Sequence, residues 1–212
     1  METVKFYFSF RSPYAWLAFH RVQPAFAGLP VQVRRIPVFP PKDFPNDPAA
    51  LPSKAAYIGE DVARIAGAYG LRVTRPKSLD TDWMRPHAAY LHAEDNGRGI
   101  AFGGAVYAAR FSDGQDVGDD DVLRRVARSC DLDPDAVLHA CDDPALHERV
   151  MQGITEGLQD GIFGVPFFIY RKQKFWGNDR LEWLLRAIAQ DAGRAAPDLK
   201  ADPLQSPYGK PA

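Results

Sequence analysis

Two cysteines are all that this chain has, Cys130 and Cys141, and they stand eleven residues apart. No C-x-x-C occurs, so neither a dithiol redox motif nor half of a zinc site is present. Histidine is equally sparse. His87 and His92 are five apart and share no helix face; His139 and His147 can share one, but no third ligand accompanies them, and no H-E-x-x-H occurs. A metal site is not expected. Nor is there an excess of either charge. The 26 basic and 27 acidic residues are mixed along the chain, and no basic run interleaved with aromatics marks a nucleic-acid surface. No apolar stretch is long enough to span a membrane. The opening "METVKFYFSF" lacks the basic region, apolar core and small-residue cleavage site of a secretory signal, so a cytoplasmic protein is expected. In that reducing setting the two cysteines are expected to be buried free thiols.

What remains is an ordinary globular composition, 46% hydrophobic and 25% charged over 212 residues, enough for one sizeable core or for a domain with another inserted in it. Val4–Ser9 alternates like a strand. From Pro13 the positions Trp16, Leu17, Phe19, Val22 and Phe26 suit a helix that Gly28 ends, and Val31–Ile36 closes a β-α-β unit. Six prolines then fall between Pro37 and Pro52, which excludes a helix and indicates an ordered loop over a site. Residues 53 to about 160 have helical periodicity. Ser53 is expected to cap a helix to Tyr69, another helix runs from about Pro86 to Asp95, and "GGAVYAARFSDGQ" gives a third. "GDDD" sets acids in a first turn, and two Asp-Pro pairs place aspartate at N-cap and proline at N1. "PFFIY" and "KFWG" read as a hairpin around "RKQ". "NDRLEWLLRAIAQ" is a closing helix with Asn178 or Asp179 as cap.

The resulting order, β-α-β, helices, then β-β-α, is that of an α/β thioredoxin-like domain with a large all-helical insertion. The expected boundaries are 1–52 and 157–192 for the two parts of the thioredoxin-like domain, 53–156 for the insertion, and 193–212 for an extended tail that holds four prolines.

Three short stretches can carry chemistry. Ser12, at the strand-to-helix turn in "FRSPYAW", lacks a hydrolase elbow and an evident base. It is either a plain N-cap or a group acting where a helix N-terminus favours negative charge. In "GIFGVPFFIY" the Val165–Pro166 pair precedes a strand, an uncommon place for proline. Local statistics favour a trans bond, whereas a thioredoxin-like fold places a cis-proline here, with the backbone of the preceding residue turned to the cleft. In "FWGNDRLEWLL", Asn178 and Asp179 either cap a helix or hold the two ends of an α-amino acid.

Taken together, "FYFSFRSPYAWLA", "PSKAAYIGEDVARIA", "GIFGVPFF" and "FWGNDRLEWL" resemble the 2-hydroxychromene-2-carboxylate isomerases and the kappa-class glutathione transferases, which share a scaffold with the disulfide oxidoreductase DsbA. The likeness runs in order from about residue 4 to 190. It implies glutathione as cofactor, with Ser12 at its sulfur, Val165 and Pro166 along its backbone, and Trp176, Asn178 and Asp179 at its γ-glutamyl end. It implies a homodimer and a small aromatic or electrophilic second substrate. Lys42 and Asn46 match the family's loop residues, and Trp83 and Tyr90, with Phe39 and Phe44, are the expected walls. The loop itself departs from the family by being compact and rich in proline.

The implied activity is glutathione-dependent cis-trans isomerisation of an aromatic pyruvate-like compound. A kappa-like transferase uses the same activated thiolate. A thiol-disulfide oxidoreductase is disfavoured, because Ser12-Pro13-Tyr14-Ala15 holds no cysteine. A peptide-binding module using the Val165 edge without chemistry is the remaining alternative.

Overall fold

The computed structural model describes residues 1–40, 51–78 and 80–195. Its four-stranded mixed sheet has the order β2-β1-β3-β4. Strand β1 (Glu2–Phe8) runs parallel to β2 (Val31–Pro37) and antiparallel to β3 (Phe167–Tyr170), which pairs antiparallel with β4 (Gln173–Trp176). Helix α1 (Pro13–Phe26) is the crossover between the parallel pair, as parallel strands require.

The central strands are buried on both faces over residues 6–8 and Phe167–Tyr170, which explains their aromatic content. Val4, Phe6 and Phe8 alternate onto one face with Phe168 and Tyr170, against Trp16, Leu17 and Phe19 of α1 and Leu184, Leu185 and Ile188 of α8 (Leu181–Asp191). Phe6 and Phe168 stack there at 4.7 Å between ring centroids. Tyr7, Ile36, Val38, Phe167 and Ile169 form a second cluster on the opposite face. Helix α7 (Pro144–Gln159) approaches that face closely: a Cβ on Gly153 would stand 3.1 Å from Ile36. Salt bridges from Lys5 and Arg34 to Glu156, and a hydrogen bond from Tyr7 to Asp160, tie its last turns to the sheet.

Among the described residues between β2 and β3 the regular elements are all helical: α2 (Pro52–Ala68), α3 (Met84–Asp95), α4 (Gly99–Tyr107), α5 (Asp120–Ser129), α6 (Pro134–Cys141) and α7. This is a thioredoxin-like sheet unit with a helical insertion. Asp119, Asp133 and Asp143 cap α5, α6 and α7 through their side chains, as the acidic and Asp-Pro starts predict. Helix α4 does not end cleanly but widens into a π-turn at Ala108–Ser112.

Two expected caps are corrected. Helix α2 starts two residues earlier, with Leu51 at N-cap and Pro52 as its first residue, so Ser53 lies inside the helix. Neither Asn178 nor Asp179 caps α8; both lie in a 3-10 turn, Asn178–Arg180, that leads into it. The side chain of Asn178 is already committed elsewhere in the core, as described below. Tail residues 196–212 lie outside the described residues.

Candidate active site

Strand β1 ends at Phe8, and the four residues to Ser12 are fixed from several directions. Tyr107 donates its hydroxyl to the Ser9 carbonyl at 2.9 Å, and Ser12 N–H donates to the same oxygen at 3.0 Å. Arg11 N–H donates to Ser9 Oγ at 3.3 Å. Phe10 N–H donates to His87 Nε2 at 3.3 Å, and His87 Nδ1 lies 2.6 Å from the carbonyl of Trp83. One ring nitrogen thus accepts and the other donates, so His87 is neutral. Burial, the dominant cause, pushes its pKa down to about 4 against the opposing bonds to Trp83 and Val38 backbone. The fully buried ring also packs against Phe10 and Phe39. His87 therefore clamps the turn that presents Ser12.

Ser12 is extended, with φ −93° and ψ 119°, the backbone of an N-cap. Its Oγ accepts from Ala15 N–H at 3.2 Å and donates to the Val165 carbonyl at 3.2 Å. The capping role is real, but the same hydroxyl also spans to the loop before β3. The Val165–Pro166 bond is cis, as the fold and not the local sequence predicted. The third stretch joins the second directly, because Gly177 N–H donates to the Pro166 carbonyl at 3.0 Å. Ser12, Val165 and the Gly177–Asp179 turn are therefore linked in space.

Gly177 holds that turn at φ 116°, and a Cβ there would fall 2.5 Å from Asp179 Oδ1. The Asp179 carboxylate folds back over the glycine and stays exposed, 3.3 Å from Arg180. Asn178 turns inward. It accepts from Arg21 at its carbonyl (3.0 Å) and Oδ1 (3.4 Å), and donates to Tyr69 Oη at 3.1 Å. Its side chain joins α1, α2 and the turn rather than facing out. Trp176 is half-exposed, on the sheet face of Phe167, edge-on to Phe163 and over Gly164, where a Cβ would meet its Nε1 at 2.8 Å.

On the insertion side, Trp83 is partly buried beneath the Arg110 guanidinium, which lies 4.4 Å from its ring centroid. Tyr90 is fully buried instead, edge-on to Phe8 at 4.9 Å, with its hydroxyl on Glu94 at 2.7 Å. It belongs to the core and not to an open wall. Lys42, Phe44 and Asn46 lie outside the described residues.

Sequence reasoning missed two features. Tyr14 donates to Asp61 of α2 at 2.9 Å, and Asp61 also holds Arg64 at 2.7 Å. Burial first, then Asp61, pushes the Tyr14 hydroxyl well above its ordinary range, and the charge of Asp179 adds to this, so the phenol stays protonated. No local signal pairs residues 47 apart. The other is Arg110, a lone cation in the apolar run "AVYAARF", which was a legible anomaly. The carboxylates of Asp61 and Asp179 each have an arginine beside them, Arg64 at Asp61 and Arg180 at Asp179.

The two thiols take no part in it. Cys130 and Cys141 are free and buried, and Cys141 Sγ donates to the Val137 carbonyl at 3.2 Å. Burial pushes the Cys141 pKa up to about 11, against the nearby Arg85, which keeps it an inert thiol.

The DsbA-like thioredoxin domain model matches residues 3–189. The 2-hydroxychromene-2-carboxylate isomerase of Sphingobium xenophagum is 30% identical over 191 residues, which cover 86% of this chain and 96% of that one. The chain belongs to the 2-hydroxychromene-2-carboxylate isomerase family. A solved 2-hydroxychromene-2-carboxylate isomerase superposes with a TM-score of 0.80 at 23% identity, covering 90% of this chain and 98% of that one. A cytosolic disulfide reductase of Pseudomonas aeruginosa, solved with GSH, shares the fold with a TM-score of 0.61 at 17% identity, over 81% of this chain and 87% of that one. Members of this isomerase family are enzymes, and the site above is where this one's helix N-terminus, proline loop and acidic turn converge. Among the described residues, no helix is long and apolar enough to cross a membrane.

Proposed function

We propose that this enzyme is a glutathione-dependent isomerase acting on a conjugated aromatic carbonyl compound, of the kind its relatives' name describes. The observation that carries the reading is the Ser12 hydroxyl, placed at the N-terminus of α1 and bonded to the Val165 carbonyl. A helix N-terminus and a hydroxyl donor both favour a thiolate over a thiol. Bound glutathione would supply a thiolate nucleophile able to add reversibly to a conjugated carbonyl compound.

The chain's own residues do the rest. Ser12 turns its O–H from Val165 to the sulfur and holds it charged. Val165, just outside the β3 ladder, offers its backbone to an extended peptide. The exposed Asp179 carboxylate takes the γ-glutamyl ammonium. Trp176 closes the Gly164 side, and Asn178 acts by fixing the turn. The second substrate enters between Phe39 and Trp83. The GSH-bound disulfide reductase supports a tripeptide on this scaffold. A redox role lacks a thiol at Ser12-x-x-Ala15, and both existing thiols are buried.

The test is turnover of a panel of conjugated aromatic pyruvates with and without glutathione. The proposal expects isomerised product that requires glutathione and leaves its concentration unchanged. Stoichiometric consumption of glutathione would make the enzyme a transferase instead.

A second expectation concerns the acidic turn. Asp179→Ala weakens glutathione binding by about ten- to a hundredfold, the range of a charge-assisted hydrogen bond. Gly177→Ala weakens it too, since the new Cβ displaces the same carboxylate and strains the backbone. Calorimetric titration of both variants checks this, and unchanged affinity in Asp179→Ala removes the residue from the site.

A further inference from the structure

Among the described residues Arg110 is a buried cation on the insertion side with no carboxylate in contact, although the charge of Asp116 acts on it. Its residue is 2% exposed, and its hydrogen bonds among the described residues go to a hydroxyl and a carbonyl rather than to a carboxylate. Nε has no hydrogen-bond partner at all. The other two contacts are long, 3.3 Å to Thr81 Oγ1 and 3.4 Å to the Ser78 carbonyl. Burying an unpaired charge costs several kcal/mol in general, so this guanidinium is under-bonded by design or by need. Burial lowers its pKa to about 10, and the proximity of Arg11 adds to the effect while Asp116 opposes it. At neutral pH it remains a cation.

Its surroundings say what it awaits. It rides on the π-turn, a feature frequent at functional sites. Three residues earlier, Tyr107 bonds the Ser9 carbonyl; one residue later, Phe111 stacks on Trp16 of α1 at 5.4 Å. The π-turn is thus packed on the two segments that flank Ser12. The Trp83 ring lies 4.4 Å and the Phe111 ring 5.6 Å from the guanidinium carbon, so a planar ligand reaches it at its N–H edges. Those edges meet only Thr81 Oγ1 and the Ser78 carbonyl among the described residues, through the two long bonds. A planar fork of N–H donors backed by an aromatic face is matched by a carboxylate attached to a flat conjugated system.

We propose that Arg110 binds the carboxylate of the second substrate, displacing the long bonds to Ser78 and Thr81, with the conjugated part of that substrate lying along Trp83. This deepens the isomerase reading and rests on it for the identity of the site, but its test needs no glutathione.

The probes are trans-cinnamate and its neutral isostere cinnamamide, titrated calorimetrically into wild type, Arg110→Gln and Arg110→Lys. Wild type is expected to bind cinnamate at least tenfold more tightly than cinnamamide. Arg110→Gln should erase that preference, and Arg110→Lys, which keeps the charge but loses the fork, should retain only part of it. Equal affinity of the two probes for wild type overturns the proposal, as does a preference that survives intact in Arg110→Gln. Should Arg110→Gln fail to fold, Arg110→Lys decides: cinnamate affinity equal to wild type counts against the fork. Glutathione titrated into the same wild-type sample reports separately on the isomerase reading, whose failure would show as no glutathione binding whatever cinnamate does.

Discussion

Ser12→Ala is expected to lower turnover by about a hundredfold or more, the usual effect of removing one preorganised donor from a developing or bound anion. The same change should cost only about 0.5–2 kcal/mol of stability, the range of a lost N-cap. These figures separate two roles of one atom. Ser12 Oγ accepts from Ala15 N–H and donates to the Val165 carbonyl, so without ligand it is fully used as a structural link. If that were its whole purpose, alanine would leave a slightly weaker helix start and an unchanged rate. Its donor bond, however, goes to a backbone carbonyl at 3.2 Å, long for O–H···O and easily exchanged for a sulfur anion. Ser12→Thr keeps the hydroxyl and the cap, and should recover much of the rate. Melting curves and steady-state kinetics on both variants check this. An Ala variant that loses stability but not turnover would reduce Ser12 to a cap.

The second large effect is on stability. His87 is neutral in the fold with its pKa near 4, against an ordinary 6.5. Between those values the unfolded chain binds a proton that the folded chain refuses, so stability is fully present above about pH 6.5 and is lost as the pH falls toward 4. The gap of about 2.5 units corresponds to about 3 kcal/mol. His20, also held low by burial, adds in the same direction. Glu156, Asp160 and Asp95, held below their ordinary values, lose their contributions only at lower pH. Denaturant melts from pH 7 down to 4 should therefore show a steep decline before the carboxylates titrate. His87→Gln should be less stable at pH 7 by about 1–3 kcal/mol, for its disturbed buried bonds, but much flatter with pH. An unchanged slope in that variant would remove His87 as its source. Because His87 holds Phe10 two residues before Ser12, activity should fall in the same pH range.

The sequence carried the fold further than it carried the site's packing. Alternation in Val4–Phe8, the Pro13 helix start and the aspartate caps at 119, 133 and 143 act within a few residues, and each appears where its local chemistry places it. The start of α2 shifted for a local reason, proline at the first helical position, whereas the cap expected at 178 shifted for a tertiary one. Asn178 resembles a cap in isolation, but Arg21 and Tyr69 compete for its side chain, and both lie more than 100 residues away. Tyr90 resembles an aromatic wall, but its face is turned into the core against Phe8. The cis bond at Pro166 follows from the topology around it, and not from its neighbours in the chain. Ser12 was ambiguous for a physical reason, since a cap and an anion-holding hydroxyl occupy the same position at a helix N-terminus. Arg110 needed no structure to be noticed, only an account of why a lone arginine interrupts "AVYAARF".

The most direct test of the central claim is the ultraviolet thiolate absorbance of glutathione bound to the wild-type enzyme, followed against pH. The account predicts a midpoint at least one unit below that of free glutathione, each unit being about 1.4 kcal/mol in favour of the thiolate, and a return toward the free value in Ser12→Ala. A bound thiol that titrates where the free one does, in wild type and Ser12→Ala alike, would contradict it.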